Sequence, residues 1–283
     1  MKVIAPGKLV LTGAYAVLRG APAIVAAVDR YAVADTESPS VVDVHSLHDE
    51  AGHKLGLGSS AATIVASLGS RAIVRGEDPR QAPVRAAIFR AAREAHSREQ
   101  GGGSGVDIAA SVFGGMLCYG LGEGGPRIRT VEPPGALVLE AYWSGTSART
   151  SDLRARVDKL YARAPKSATF TALSDVAEQA AAAIQQGDAR AFVERAAAFG
   201  RALAALGQAA DAPIVPPAFA ELAVLAEEEM AAFLPSGAGG GDVAVWLGLA
   251  PPSPAFRERA QALSLRHLPL ALDRGGVRPE ALS

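Results

Sequence analysis

The sequence predicts an α+β protein arranged in two layers, and three observations lead there. Over residues 1–130, short apolar runs of strand character alternate with helical stretches. Glycines and prolines at Gly120–Gly125 and Pro133-Pro134-Gly135 then punctuate the chain. Residues 131–283 place strands near their two ends, around alanine-rich helical stretches. The expected division is therefore 1–130 and 131–283. The chain of 283 residues, 49% hydrophobic and 20% charged, has the make-up of a globular enzyme of one large or two medium domains.

The first half opens with apolar strands at Val3–Ile4 and Leu9–Leu11, separated by Pro6-Gly7, and a third at Ile24–Val28. A helix follows Ser59, with apolar residues at Ile64, Val65, Leu68 and Ala72 at helical spacing. A second helix follows Pro79, and Met116–Tyr119 reads as a buried strand. The second half begins with a strand over Ala136–Trp143 and continues through three or four helical stretches between about 150 and 231. A strand at Val243–Leu247, a helix near Phe256–Leu263 and a strand near Leu268–Leu272 complete it. No internal repeat or heptad pattern is present.

Composition removes several functional classes. The formal net charge is −1, and no basic stretch interleaved with aromatics occurs, so no nucleic-acid partner is expected. No run approaches the roughly 18 consecutive apolar residues of a membrane span. The opening Met1-Lys2-Val3-Ile4 meets Pro6-Gly7 too early for a secretory apolar core, so a cytoplasmic location is expected. Cys118 is the only cysteine, which rules out an intramolecular disulfide and a thiolate zinc cage; on its strand it reads as a packed, inert thiol. None of the five histidines stands in a His-Glu-x-x-His frame.

The most informative stretch is Gly56-Leu57-Gly58-Ser59-Ser60-Ala61-Ala62-Thr63, a glycine turn that runs into two hydroxyls and a small-residue helix. Glycines allow a tight turn and close approach to a ligand, and the start of a helix attracts phosphate. By itself such a turn also serves plain packing. Two further glycine clusters keep it company: Gly101-Gly102-Gly103-Ser104-Gly105-Val106-Asp107 and Ser236-Gly237-Ala238-Gly239-Gly240-Gly241-Asp242. Lys8, one of five lysines in a chain whose Lys+Arg total is 28, directly follows Pro6-Gly7.

In this order the clusters resemble the motifs of the GHMP small-molecule kinases, the family of galactokinase, homoserine kinase, mevalonate kinase and phosphomevalonate kinase. Ala5-Pro6-Gly7-Lys8 is similar to the first motif, Gly56 to Ala62 to the second, and Ser236 to Asp242 to the third. Gly103-Ser104-Gly105-Val106-Asp107 looks like the segment that carries the catalytic aspartate. The phosphomevalonate kinase branch is the most similar: Ala5 to Asp29 resembles its opening, and Ala95-His96 with Gln100 and the following GGGSGVDIAAS resembles its central segment. Trp143-Ser144-Gly145-Thr146-Ser147-Ala148-Arg149-Thr150 resembles its Trp-Thr-Gly-x-x-Ala-Ser-Thr stretch. Mevalonate kinases usually carry a magnesium-binding glutamate at the position held here by His96, which favours a phosphorylated acceptor. Two departures stand out: the Asp29–Gly56 interval is short for the family, and Ser144 and Arg149 replace the usual threonine and serine.

The resemblance implies a nucleotide-binding N-terminal half packed on a ferredoxin-like C-terminal half. It implies ATP and Mg²⁺ as cofactors, a small phosphorylated acceptor as partner, and a monomer or homodimer. Gly56, Leu57, Gly58, Ser59, Ser60 and Ala61 would hold the ATP phosphates, with the Ser60 hydroxyl on Mg²⁺. Asp107 would be the catalytic carboxylate, and Lys8 would hold it ionised and offset developing charge. Ser104, Gly105, Ser147, Arg149, Gly239 and Gly240 would meet the acceptor. Plainer readings stand beside these: Asp107 as a helix cap, Lys8 as a surface lysine, Ser104 as a turn serine and His96 as a helix-surface or satisfied histidine. A non-catalytic nucleotide sensor is a second functional class. A dinucleotide dehydrogenase is the weakest, because Glu77-Asp78 have the spacing of its ribose-binding acid but lie in a polar loop before Pro79.

Overall fold

The computed structural model describes residues 1–100, 102–146 and 150–281. Its first strand, β1 (Lys2–Thr12), is continuous, where the sequence suggests two strands broken at Pro6-Gly7. The register against β2 (Ala23–Asp35) shifts between Pro6 and Gly7: Pro6 pairs with Tyr31 and Gly7 with Val28, so Asp29 and Arg30 bulge out of β2 beside the residue that has no N–H to give the ladder. Lys8 consequently lies within the strand. β2 outruns the expected Ile24–Val28, because Ala32 and Ala34 stay fully buried beyond it. The two-residue β3 (Val42–Asp43) pairs with its far end.

Two helices, α1 (Ser59–Val74) and α3 (Val106–Phe113), pack on this sheet, and α2 (Ala82–Gln100) packs against both of them. Small residues let α1 approach closely, with Ala61, Ala62, Ala66 and Gly69 all buried. β4 (Met116–Gly122) and β5 (Gly125–Val131) then form a hairpin. The glycines at 120–125 therefore belong to this hairpin and not to a join between halves.

The second layer is built from β6 (Val138–Trp143), four helices α4 (Thr150–Arg163), α5 (Ala168–Gln185), α6 (Ala189–Ala209) and α7 (Pro217–Glu228), then β7 (Ala232–Pro235), β8 (Val243–Gly248), α8 (Pro254–Ala262) and β9 (Arg266–Leu268). Its sheet runs β7-β8-β6-β9. An aromatic cluster of Tyr142, Phe219, Phe233, Trp246 and Phe256 packs at one face of this sheet, with Trp246 and Phe256 ring centres 4.6 Å apart. The main core is continuous through both layers.

The chain does not end in the second layer. β9 stops at Leu268, Leu272 makes only an isolated bridge to Val28, and β10 (Arg278–Pro279) pairs with β1. The first sheet thus reads β10-β1-β2-β4-β5. Buried Asp273 pins the returning tail: it accepts from the Gly276 amide at 2.8 Å, from Arg278 Nη2 at 2.7 Å and from the Tyr31 hydroxyl at 2.9 Å. In space this tail crosses the division between 1–130 and 131–283. Every strand pair among the described residues is antiparallel, unlike the parallel sheet on which a dinucleotide-binding dehydrogenase is built.

Candidate active site

The Pro6–Lys8 stretch of β1 brings the first two glycine motifs together. Gly7 has no room for a side chain: a Cβ would lie 2.8 Å from the Leu57 carbonyl oxygen. The Lys8 amide donates to that same oxygen at 2.9 Å, and Lys8 Nζ donates to the Gly56 carbonyl at 3.1 Å. Gly58 caps α1 in the left-handed region (φ 79°), with no side chain taking the cap position. The start of α1 thus lies beside Lys8.

The Ser104-Gly105 turn performs the same service for α3. Gly105 is the cap residue (φ 79°), so Asp107 lies in the first turn and is not the helix cap. Its Oδ1 accepts from the Ile108 amide at 2.9 Å, while its Oδ2 lies 3.7 Å from Nε2 of His96 on α2. The Ser104 carbonyl accepts from the Tyr119 hydroxyl, and the Gly102 carbonyl accepts from Arg154 Nη1 on α4 at 2.8 Å. Ser111 of α3 donates to the Pro6 carbonyl at 2.7 Å, which fixes α3 to β1 just before Gly7 and Lys8.

The third glycine loop, between β7 and β8, closes the opposite wall. Its Ser236 hydroxyl accepts from the Val10 amide at 2.9 Å, and its Ala238 carbonyl accepts from the Tyr15 hydroxyl at 2.7 Å. Asp242 abuts the first loop: a Cβ on Gly56 would lie 2.6 Å from that of Asp242. The Asp242 amide donates to Thr146 and its carbonyl accepts from Ser144, so the Trp143–Thr146 segment is tied in as well.

These three loops surround one cavity of about 850 Å³, within the range of small-molecule sites. Lys8, Gly56, Gly58, Ser59, Ser60, Ala61, Ser104, Gly105, Asp107 and Gly239 all line it. Two expected residues do not. Leu57 is 1% exposed with its side chain in the core, and its carbonyl is taken by Lys8. The Gly240 amide is turned away to the Ile214 carbonyl at 2.8 Å. Ser147 and Arg149 lie outside the described residues.

Lys8 is partly buried, and the loss of water around its ammonium pulls its pKa down from the ordinary lysine value. The charges of Asp107 and Asp242 pull it back up. Burial pushes the Tyr119 phenol up to about 12 and moves Tyr15 in the same direction, so both hydroxyls remain protonated donors to their loops. Sequence reasoning missed Tyr15, Tyr119 and Arg154, because each serves a loop distant along the chain. It read His96 as a helix-surface or satisfied histidine; the imidazole is 5% exposed, lines the cavity and leaves Nε2 without a hydrogen-bond partner. The helical phase of α2 alone does not say which face α3 covers.

No family model matches the chain. Phosphomevalonate kinase of Streptomyces sp. (strain CL190) is 30% identical over 230 residues, covering 71% of this chain and 59% of the relative. The chain thus spans a little under three fifths of that relative's length. Mevalonate kinase of Aeropyrum pernix is 30% identical over 237 residues, 65% of this chain and 70% of the relative. The chain belongs to the GHMP kinases. Solved structures agree with this GHMP kinase in fold. A Listeria innocua protein superposes with a TM-score of 0.84 at 23% identity, covering 98% of each chain. Streptococcus pneumoniae phosphomevalonate kinase in complex with phosphomevalonate and AMPPNP gives 0.79 at 17% identity over 96% of this chain and 99% of that one. L. major mevalonate kinase with R-mevalonate gives 0.68 at 19% identity over 100% and 97%.

Proposed function

We propose that the protein transfers the γ-phosphoryl group of ATP to 5-phosphomevalonate, giving 5-diphosphomevalonate and ADP. The observation that carries this reading is the convergence of Lys8, Asp107 and the glycine turn before α1 on one cavity. The Streptomyces phosphomevalonate kinase supports the choice of acceptor, as does an imidazole where mevalonate kinases usually carry a glutamate.

The residues present fit a nucleotide's phosphates. The turn at Gly56 and Gly58 has no space for side chains: a Cβ on Gly58 would lie 3.0 Å from Lys8 Cγ. Backbone N–H groups at the start of α1 would hold the phosphates, with the helix dipole in support. Mg²⁺, when bound, spreads the charge of the phosphates, and the Ser60 hydroxyl would be its ligand from this chain.

In the reaction, an oxygen of the acceptor's phosphate forms a new bond to the γ-phosphorus as the bond from that phosphorus to the β–γ bridging oxygen breaks. ADP leaves with that bridging oxygen. Such a transfer needs alignment and charge neutralisation more than covalent help. Lys8 opposes the charge gathering on the transferred group. Asp107 orients the acceptor and takes its proton when the phosphate arrives singly protonated. Ser104, Gly105 and Gly239 form the acceptor's side of the cavity.

A second reading, phosphorylation of mevalonate itself, draws on the Aeropyrum relative. A coupled ADP-release assay with Mg²⁺-ATP, offering both acceptors in parallel, separates the two. The proposal expects turnover of 5-phosphomevalonate, lowered about 10²-fold or more by Asp107→Ala. Turnover of mevalonate alone would move the assignment to the sister reaction. Tight ATP binding with neither acceptor turned over would favour a nucleotide sensor.

A further inference from the structure

His96 is a buried imidazole with an unfilled hydrogen-bonding position. It projects from α2 with 5% exposure, and its Nε2 has no hydrogen-bond partner. Roughly 90% or more of buried polar groups in folded proteins are partnered, so an orphan on a cavity wall marks a place where something binds. The atom facing Nε2 is Asp107 Oδ2 at 3.7 Å. That gap is too wide for a direct hydrogen bond, which closes at about 2.7–3.2 Å. Nε2 is sealed from solvent in this conformation; once a small turn of the imidazole or carboxylate opens it, an oxygen about 2.8 Å from each atom would close a triangle on the 3.7 Å base.

The chemistry of the two groups defines that oxygen. The Asp107 carboxylate can only accept, and a carboxylate opposite Nε2 favours the tautomer with the proton on that nitrogen. An oxygen between them accepts from His96 and donates to Asp107. A hydroxyl does this, and so does the oxygen of a singly protonated phosphate. Water meets the same demand and would hold the place until a substrate oxygen displaces it, whereas a charged amine cannot accept.

We propose that His96 and Asp107 together clamp the reacting oxygen of the phosphoryl acceptor, His96 by donating from Nε2 and Asp107 by accepting. This makes His96 a catalytic residue of the transfer, not a packed core histidine. It rests on the reading that Asp107 faces the acceptor, and not on which acceptor is used. The clamp holds one lone pair of the oxygen while leaving another to face the γ-phosphorus, which is the alignment that in-line transfer requires.

Three enzymes test it: wild type, His96→Leu and His96→Gln. Each is assayed with whichever of 5-phosphomevalonate and mevalonate the wild type turns over, varying acceptor and ATP separately. Losing the donor in His96→Leu should lower kcat/KM for the acceptor roughly 10- to 100-fold and leave KM for ATP within about twofold. His96→Gln, which restores an N–H donor, should recover part of the loss. In parallel, ¹⁵N-histidine NMR of the wild type should show the Nε2 resonance that is missing in His96→Leu moving when acceptor is added to the AMPPNP-bound protein. An unchanged acceptor kcat/KM in His96→Leu overturns the clamp. So does a His96 resonance indifferent to both acceptors, or equal losses for acceptor and ATP without recovery in His96→Gln. If the wild type uses mevalonate alone, the substrate proposed above is wrong while the clamp is tested with mevalonate.

Discussion

Lys8 carries two opposed demands, and its energetics follow from them. Its ammonium loses water in a partly buried site, and two carboxylates only partly compensate. A lysine whose folded pKa is lowered costs stability in full below that folded value. The cost fades as pH rises toward the unfolded value of about 10.4, because the unfolded chain binds more protons in that window. Replacement by methionine removes the cost. Lys8→Met should therefore lower kcat about 10²- to 10³-fold with no loss of thermal midpoint at pH 7. Any advantage in midpoint over wild type should shrink as the pH is raised, which melting curves at several pH values would show. At this scale the sequence was informative wherever backbone geometry demands one residue type. Lys8 and Asp107 were legible through the glycines beside them. Leu57 and Gly240 fall outside the cavity lining, because a motif marks a loop and does not say which of its groups turn inward. Whether His96 was a surface or a satisfied histidine stayed open in the sequence, because its burial is decided by α3, a partner helix.

Among the elements, the glycine turn before α1 has the tightest tolerance. Gly56 combines a positive φ of 75° with a neighbour, Asp242, that a Cβ would approach to 2.6 Å. Gly56→Ala should thus cost about 1–3 kcal/mol in urea unfolding. It should also weaken ATP binding, read by calorimetry, since the turn would move away from the start of α1. The main elements were legible from periodicity, including the helix after Ser59 and the strands at Met116 and Val243. The misses have local causes. Pro6 argues against a strand unless a bulge is foreseen, and β7 is four residues long. The hairpin glycines resemble a linker because both readings use the same residues.

Across the whole molecule, the returning tail joins the end of the chain to the first sheet, and no local pattern announces it. Asp273 is the fixing point, 4% exposed and held by Arg278, Tyr31 and two glycine amides. Asp273→Ala leaves these donors unpaired and should lower unfolding stability by about 3–5 kcal/mol. Because Asp273 does not line the cavity, turnover per folded molecule should be unchanged, as an activity assay normalised to folded protein would establish. The mixed helix-and-strand class was readable in advance, since strand and helix patterns alternate along the chain. The convergence of three glycine loops was anticipated by resemblance alone, as their separation from Gly56 to Gly239 carries no local sign of contact. That convergence is the basis of the kinase reading, and identifying the product tests it most directly. With Mg²⁺-ATP and 5-phosphomevalonate, ³¹P NMR should show the single ester phosphate replaced by two mutually coupled resonances of a diphosphate ester, with one ADP formed per acceptor consumed. An ester phosphate that persists unchanged while the protein binds ATP would contradict the account.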